Sequence, residues 1–181
     1  MKRDEALEMV KDKVPSGNLV KHMLAVEACM RKLAINFDED EKKWSLAGLL
    51  HDLDYERTKN DFEKHGVVSA EILSKKEIST DIINAIKAHA GKKSPENKME
   101  WCLYSSDPLT GLIVAAALMH PEKKLASVNK EFILNRFKEK RFAAGADRNQ
   151  ISSCERTGLK LEEFISICLD AMKEIDEELG L

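Results

Sequence analysis

The chain has 181 residues, 43% of them hydrophobic and 34% charged, with a formal net charge of −3 at pH 7. That length suits one domain with a core large enough to need no staples, and the composition excludes a disordered chain. The slight acidity argues against a nucleic-acid coat protein, so nucleic acid is not the expected partner.

The N-terminal stretch MKRDEALEMVKDKVP has no apolar core of the kind a signal peptide needs. Four cysteines, Cys29, Cys102, Cys154 and Cys168, form no CxxC pair. Reduced, mostly buried thiols in a cytoplasmic protein are the expectation. The longest apolar run, LIVAAALM at 112–119, is too short to span a bilayer, so no membrane partner is expected.

Apolar residues then recur at helical spacing along the chain. Leu19, Met23, Val26, Met30 and Leu33 stripe a helix over 18–35, and Trp44, Ala47 and Leu50 stripe one from 41 to about 53. Shorter helices are predicted over 67–75 and 81–90. Helices over 99–106 and 108–119 follow, the second opened by Pro108, which suits a first helical turn. Two more are predicted near 129–142 and 161–179. Turn residues fall at VPSGN, GKKSPENK and HPEKK. No segment alternates at period two, so the expected fold is an all-α, single-domain bundle of about seven to nine helices.

Five histidines punctuate this pattern. His22, His51, His65 and His89 each border the apolar stripe of a different helix, where a side chain points into a bundle. Packing has no special use for imidazole, whereas metals do, and bundle interiors commonly house histidine–carboxylate metal sites. In LLHDLDYERT, residues 49–58, His51, Asp52 and Asp54 close a core-forming segment. Either that helix end reaches solvent or a cation offsets the burial of these groups. The two oxygens of Asp52 can bridge two ions. Asp107 reads as an N-cap for the helix that Pro108 opens, and His120 as a helix-end residue outside any ligand set.

The ordered set His22, His51–Asp52 and Asp107 resembles the H…HD…D signature of the HD superfamily of metal-dependent phosphohydrolases. KHGVVSAEIL and AIKAHAGKK resemble the segments of its branch with two further histidines. The resemblance covers about residues 18–120 as the metal-binding core, with 121–181 as a helical extension. It implies one metal on His22, His51, Asp52 and Asp107, and a second on His65 and His89 with Asp52 bridging. Dinucleoside-tetraphosphate hydrolases of that branch carry a lysine soon after the HD pair. This chain has Asp54 in HDLDYE, so their substrate does not transfer.

The resemblance implies hydrolysis of a small-molecule phosphoester, a nucleotide being the favoured class, by a water activated on one or two divalent transition ions: Mn, Fe, Co, Ni or Zn. Asp52 and Asp54 are the candidate catalytic carboxylates. Asp54 either holds an imidazole, accepts a proton from the water, or is a plain helix-end carboxylate. Lys92, Lys93, Arg57 and Arg141 are candidate phosphate-binding residues, with Arg136, Lys140 and Arg148 as weaker ones. Without metal, burial beside other carboxylates is expected to raise the pKa of Asp52. The rival reading is a non-catalytic helical module that binds a nucleotide or a protein partner.

Overall fold

The computed structural model describes all 181 residues. It contains no strand; eleven α-helices follow one another as α1 (Arg3–Lys13), α2 (Gly17–Phe37), α3 (Glu41–Leu50), α4 (Tyr55–Thr58), α5 (Val67–Ser74), α6 (Thr80–His89), α7 (Lys98–Met119), α8 (Lys130–Lys138), α9 (Arg148–Ser152), α10 (Leu161–Lys173) and α11 (Asp176–Leu179). The number exceeds seven to nine because α4, α9 and α11 are single turns of four or five residues. They are too short to show a periodic stripe.

Local grammar sets most helix starts. Ser16, Asp40, Asn97, Asn129 and Asp147 each accept a hydrogen bond from a backbone N–H of the first turn, satisfying donors that a helix start leaves orphaned. Asp38, in the left-handed region at φ 56°, ends α2. The N-terminal segment, which carries no clear stripe, forms α1. The Arg3 guanidinium reaches both carboxylate oxygens of the buried Glu27, at 2.6 and 2.9 Å, and ties α1 to α2.

One contiguous core runs from Ala6 to Leu179. Helix α2 packs on α3, α7 and α10, while α7 also packs on α6. By length and composition alone α7 is able to cross a membrane, but over half of its most apolar window is buried inside the bundle. All four cysteines are free and buried.

The largest departure from the sequence reading lies in α7. Pro108 does not open a second helix but sits inside one continuous 22-residue helix. A proline in that position has no N–H for the carbonyl four residues back, normally a cost of about 3 kcal/mol or more. Here the freed carbonyl of Tyr104 accepts from Gln150 Nε2 at 2.8 Å. The extension beyond residue 120 thus repairs the break. Asp107 is consequently mid-helix and not an N-cap.

Two glycines bring helices close enough to assemble the centre described next. A Cβ on Gly48 would lie 2.8 Å from the Glu27 Cα and the Val26 carbonyl oxygen, so only glycine lets α3 lie this close to α2. Gly66 has φ 75° and a Cβ there would lie 2.5 Å from the Ala90 side chain. It lets the turn before α5 rest on the end of α6.

Candidate metal centre

His51 caps the C-terminus of α3, and the chain then turns inward instead of out. His51 and Asp54 are fully buried and Asp52 nearly so, which excludes the solvent-reaching reading of this helix end. His22 comes from the first turns of α2, His65 from the residue before Gly66, His89 from the last position of α6 and Asp107 from the middle of α7. The four imidazoles stand edge-to-face in the order His22, His51, His89, His65, with neighbouring centroids 4.9–5.1 Å apart.

Every one of these rings is tied from outside through Nδ1. That of His51 donates to the Gly48 carbonyl at 2.7 Å, and that of His89 to the Ile86 carbonyl at 2.5 Å. His65 Nδ1 meets Asp54 Oδ1 at 3.0 Å. His22 Nδ1 lies 3.1 Å from the Thr110 hydroxyl, whose own proton goes to the Asp107 carbonyl at 2.9 Å. The hydroxyl therefore accepts, and His22 Nδ1 donates. With all four Nδ1 atoms protonated, the neutral rings turn four Nε2 lone pairs inward.

Those lone pairs face carboxylates and one another. His22 Nε2 lies 3.2 Å from His51 Nε2 and 3.1 Å from Asp107 Oδ1. Asp52 Oδ2 lies 3.7 and 3.5 Å from the same two nitrogens. Asp52 Oδ1 faces the other way, 3.4 Å from His65 Nε2 and 3.5 Å from His89 Nε2. The buried His89 Nε2 has no hydrogen-bond partner. Ligand atoms of His22, His51 and Asp107, and separately of His51, Asp52 and His89, lie within 4.8 Å of one another. Acceptors packed this closely repel unless a cation lies among them, and nitrogen and oxygen donors about 2.0–2.2 Å from a common ion are spaced in this way. The donor set therefore fits a divalent ion. The separation of His65 and His89 from Asp52 is well inside the roughly 8 Å limit for a shared ion pair set by two bonds and some movement.

Charge follows from this packing. Burial, helped by the neighbouring His89 and His22, lowers His51 to about 4 against the pull of Asp52 and Asp107. Desolvation also acts on the half-buried His22 and the buried His89, but the Asp107 and Asp52 carboxylates hold their protons above the ordinary imidazole value. Asp52 departs from the sequence expectation. Burial pushes its carboxyl up, yet His51, His89 and His22 outweigh that and hold it well below the usual carboxylate range. The expectation counted neighbouring carboxylates and missed how many imidazoles surround this one.

Asp54 makes no contact with the inward-facing nitrogens. Its Oδ1 holds His65, its Oδ2 accepts from the Ser69 backbone N–H at 2.8 Å, and the Asp54 backbone N–H donates in return to the Ser69 hydroxyl oxygen at 3.0 Å. Burial opposes ionisation, but His65 and Ser69 keep its carboxyl low. Of its three sequence readings, this geometry matches the one in which Asp54 orients an imidazole.

None of the candidate phosphate-binding cations forms an ion pair with the cluster carboxylates Asp52 and Asp107. The Lys93 ammonium is 2.7 Å from the buried Glu100 and 3.3 Å from Glu96. Lys92 lies 3.5 Å from Glu63, and Arg57 and Arg141 are exposed. Arg148 spends its donors on the backbone carbonyls of Phe137, Glu139, Phe142, Ala143 and Ala146. It pins the loop over 139–147 and has no donors to spare for a phosphate. Arg136 pairs with Glu139. His120 stands at the end of α7 against Phe132, away from the cluster.

Sequence reasoning missed the groups that orient the rings. Ser69 and Thr110 follow His65 and Asp107 by four and three residues, a helical spacing that was available as a signal. The Gly48 and Ile86 carbonyls carry no sequence signal, since every residue has one.

A family model described as HD domain matches residues 19–148, more than two thirds of the chain. The chain belongs to the HD domain family. Members of this family are in general metal-dependent hydrolases. Among curated relatives of this HD-domain chain, Ribonuclease Y of Oleidesulfovibrio alaskensis is 33% identical over 97 residues, which are 53% of this chain and 18% of that protein. Ribonuclease Y of Lawsonia intracellularis is 26% identical over 166 residues, 90% of this chain and 32% of that protein. Ribonuclease Y of Nitratidesulfovibrio vulgaris is 31% identical over 96 residues, 53% and 18% respectively. The chain spans about a third or less of the length of these relatives. No solved structure matches it.

Proposed function

We propose that this HD domain is a metal-dependent phosphohydrolase that cleaves a phosphomonoester or phosphodiester of a small molecule. The observation that carries the reading is the set of four inward Nε2 lone pairs and two carboxylates, each imidazole fixed from outside through Nδ1. His22, His51, Asp52 and Asp107 would hold one divalent ion, and His65 and His89, together with Asp52, would hold a second. Such ions, when bound, acidify a water and polarise a phosphoryl oxygen.

The chain's own residues do the positioning. Asp54 and Thr110 keep His65 and His22 in the tautomer that ligates, as the Gly48 and Ile86 carbonyls do for His51 and His89. Asp52 presents one oxygen to each half of the cluster. Asp107 is 28% exposed and His22 23%, so a substrate phosphoryl reaches the centre from their side. The three remaining ligand histidines, His51, His65 and His89, sit deeper.

The test is metal analysis of the purified protein, followed by a phosphatase and phosphodiesterase panel with Mn, Fe, Co, Ni or Zn restored in turn. Hydrolysis that follows one of these metals supports the proposal. A protein that holds metal and cuts no phosphoester is instead a non-catalytic binding module. The relatives' name, Ribonuclease Y, favours a second reading in which the phosphodiester is RNA. The panel therefore includes a short RNA oligonucleotide, and cleavage of it above all small phosphoesters would select that reading.

A further inference from the structure

The stripe of α7 that carries Asp107 does not end at the metal centre. Gly111, Val114 and Leu118 lie four, seven and eleven residues on, which places them along the same helix face. Across from them on α2, Asn18, Lys21 and Ala25 flank His22 in the same way. Between the two helices runs a cavity of about 410 Å³, closed at its far end by Leu179–Leu181. A second cavity of about 360 Å³ opens beside Asp107 and is bounded by the Arg148-pinned loop at Ala143 and Gly145. The two share His22 and Gly111 as walls, so they flank the metal centre side by side and are taken together as a groove.

Three features of this groove are not accounted for by packing alone. Leu118 is 51% exposed although it continues an apolar stripe. Lys21 makes no ion pair; its ammonium donates only to the Leu179 carbonyl, at 2.8 Å, and an ammonium has three protons to give. Gly111 sits inside a helix, where glycine costs about 1 kcal/mol relative to alanine, yet a Cβ there would meet nothing within 4 Å. Neither packing nor backbone strain asks for a glycine. An open floor between the two cavities does.

We infer that this groove is the subsite for the organic part of the substrate. It takes a bulky group of about nucleoside size, with an apolar face for Val114 and Leu118 and hydrogen-bond acceptors for Lys21 and Asn18. The volume falls in the range of about 300–1,000 Å³ common for small-molecule sites. The inference rests on the phosphohydrolase reading, since it assigns the phosphoryl group to the metal centre and the remainder to the groove.

The experiment compares binding of adenosine 5′-monophosphate and of inorganic phosphate to the metal-loaded protein by calorimetry, for wild type, Gly111→Leu and Lys21→Ala. Metal content is measured in each. Wild type should bind the nucleotide more tightly than phosphate. Gly111→Leu, which the open space accommodates without clash, should reduce that preference about tenfold or more, since filling a pocket by a few carbons is worth this much. Lys21→Ala should reduce it less, with metal retained in both. A wild type with no preference for the nucleotide, or a preference that survives Gly111→Leu, overturns the groove assignment while leaving the phosphohydrolase reading standing. If the metal-loaded wild type binds neither anion, the phosphohydrolase reading fails and the groove assignment falls with it.

Discussion

At the scale of single residues, Asp52 is the group on which both halves of the cluster depend. Its two oxygens face different histidine pairs. Asp52→Ala removes a donor from each half at once and leaves the imidazoles with nothing to bridge. The expected outcome is metal content near zero and no hydrolysis, with the helical signal in circular dichroism retained. Wild-type metal content in this variant would sink the site assignment. Protons are the other competitor for the site. Asp107 and Asp52 raise the pKa of His22 and His89 against the effect of burial, while His51, lowered to about 4, stays neutral. A metal must therefore displace protons from His22 and His89 at and below the ordinary imidazole value of about 6.5. Apparent metal affinity, titrated from pH 8 to pH 5, should fall as the pH is lowered. An affinity flat across that range would contradict the ligation of these two histidines.

At the scale of helices, the centre exists because backbones approach where Gly48 and Gly66 permit it. Gly48→Ala forces a methyl against the α2 backbone at 2.8 Å, and backbone there cannot swing away as a flexible side chain can. Overpacking of this kind costs about 1–3 kcal/mol. Gly66→Ala meets the Ala90 methyl at 2.5 Å and also carries the strain of φ 75°. Both variants should unfold at lower urea concentration than wild type. The separating measurement is metal content. Gly48→Ala displaces His51 relative to His22 and so disturbs the ion those two share. Gly66→Ala shifts His65 relative to His89 and should cost chiefly the second ion. Equal stability of either variant and wild type would show that the helices have slack that the structure does not suggest.

At the scale of the whole molecule, ions held by these six residues would tie together five segments of the chain. A ligand that binds only the folded state stabilises it by mass action, about 2.7 kcal/mol at a hundred times its dissociation constant. Chelation with EDTA should lower the melting temperature of wild type and leave Asp52→Ala nearly unchanged. The pH dependence has a definite sign. His22 and His89 have raised pKa values in the metal-free fold, so their contribution is fully present below the unfolded value of about 6.5 and is lost as the pH rises through the raised values. These two histidines favour the metal-free fold on the acid side, while His51, lowered to about 4, opposes them there, and the ion binds more weakly as protons compete for the ligands. The difference in melting temperature between loaded and stripped protein should be larger at pH 8 than at pH 6. The reverse order would contradict this assignment of charges.

The sequence by itself determined the helical class and most of the helix starts, and it singled out six residues whose side chains the fold brings together. These are local properties: a stripe of period 3.6, a capping side chain within three residues of its target, and an ordered His…His–Asp…Asp pattern all act over short stretches of chain. What the tertiary structure decided depends on atoms distant in sequence. The proline reading failed at Pro108 because its unpaired carbonyl finds Gln150, 46 residues from Tyr104. Asp54 became a support for His65 because Ser69 packs beside it. Lys93 is paired with a buried carboxylate and Arg148 with a set of loop carbonyls, partners that only the fold supplies. The inward direction of every Nε2 is set by backbone and hydroxyl oxygens that are anonymous in the sequence, and only folding brings them to the rings.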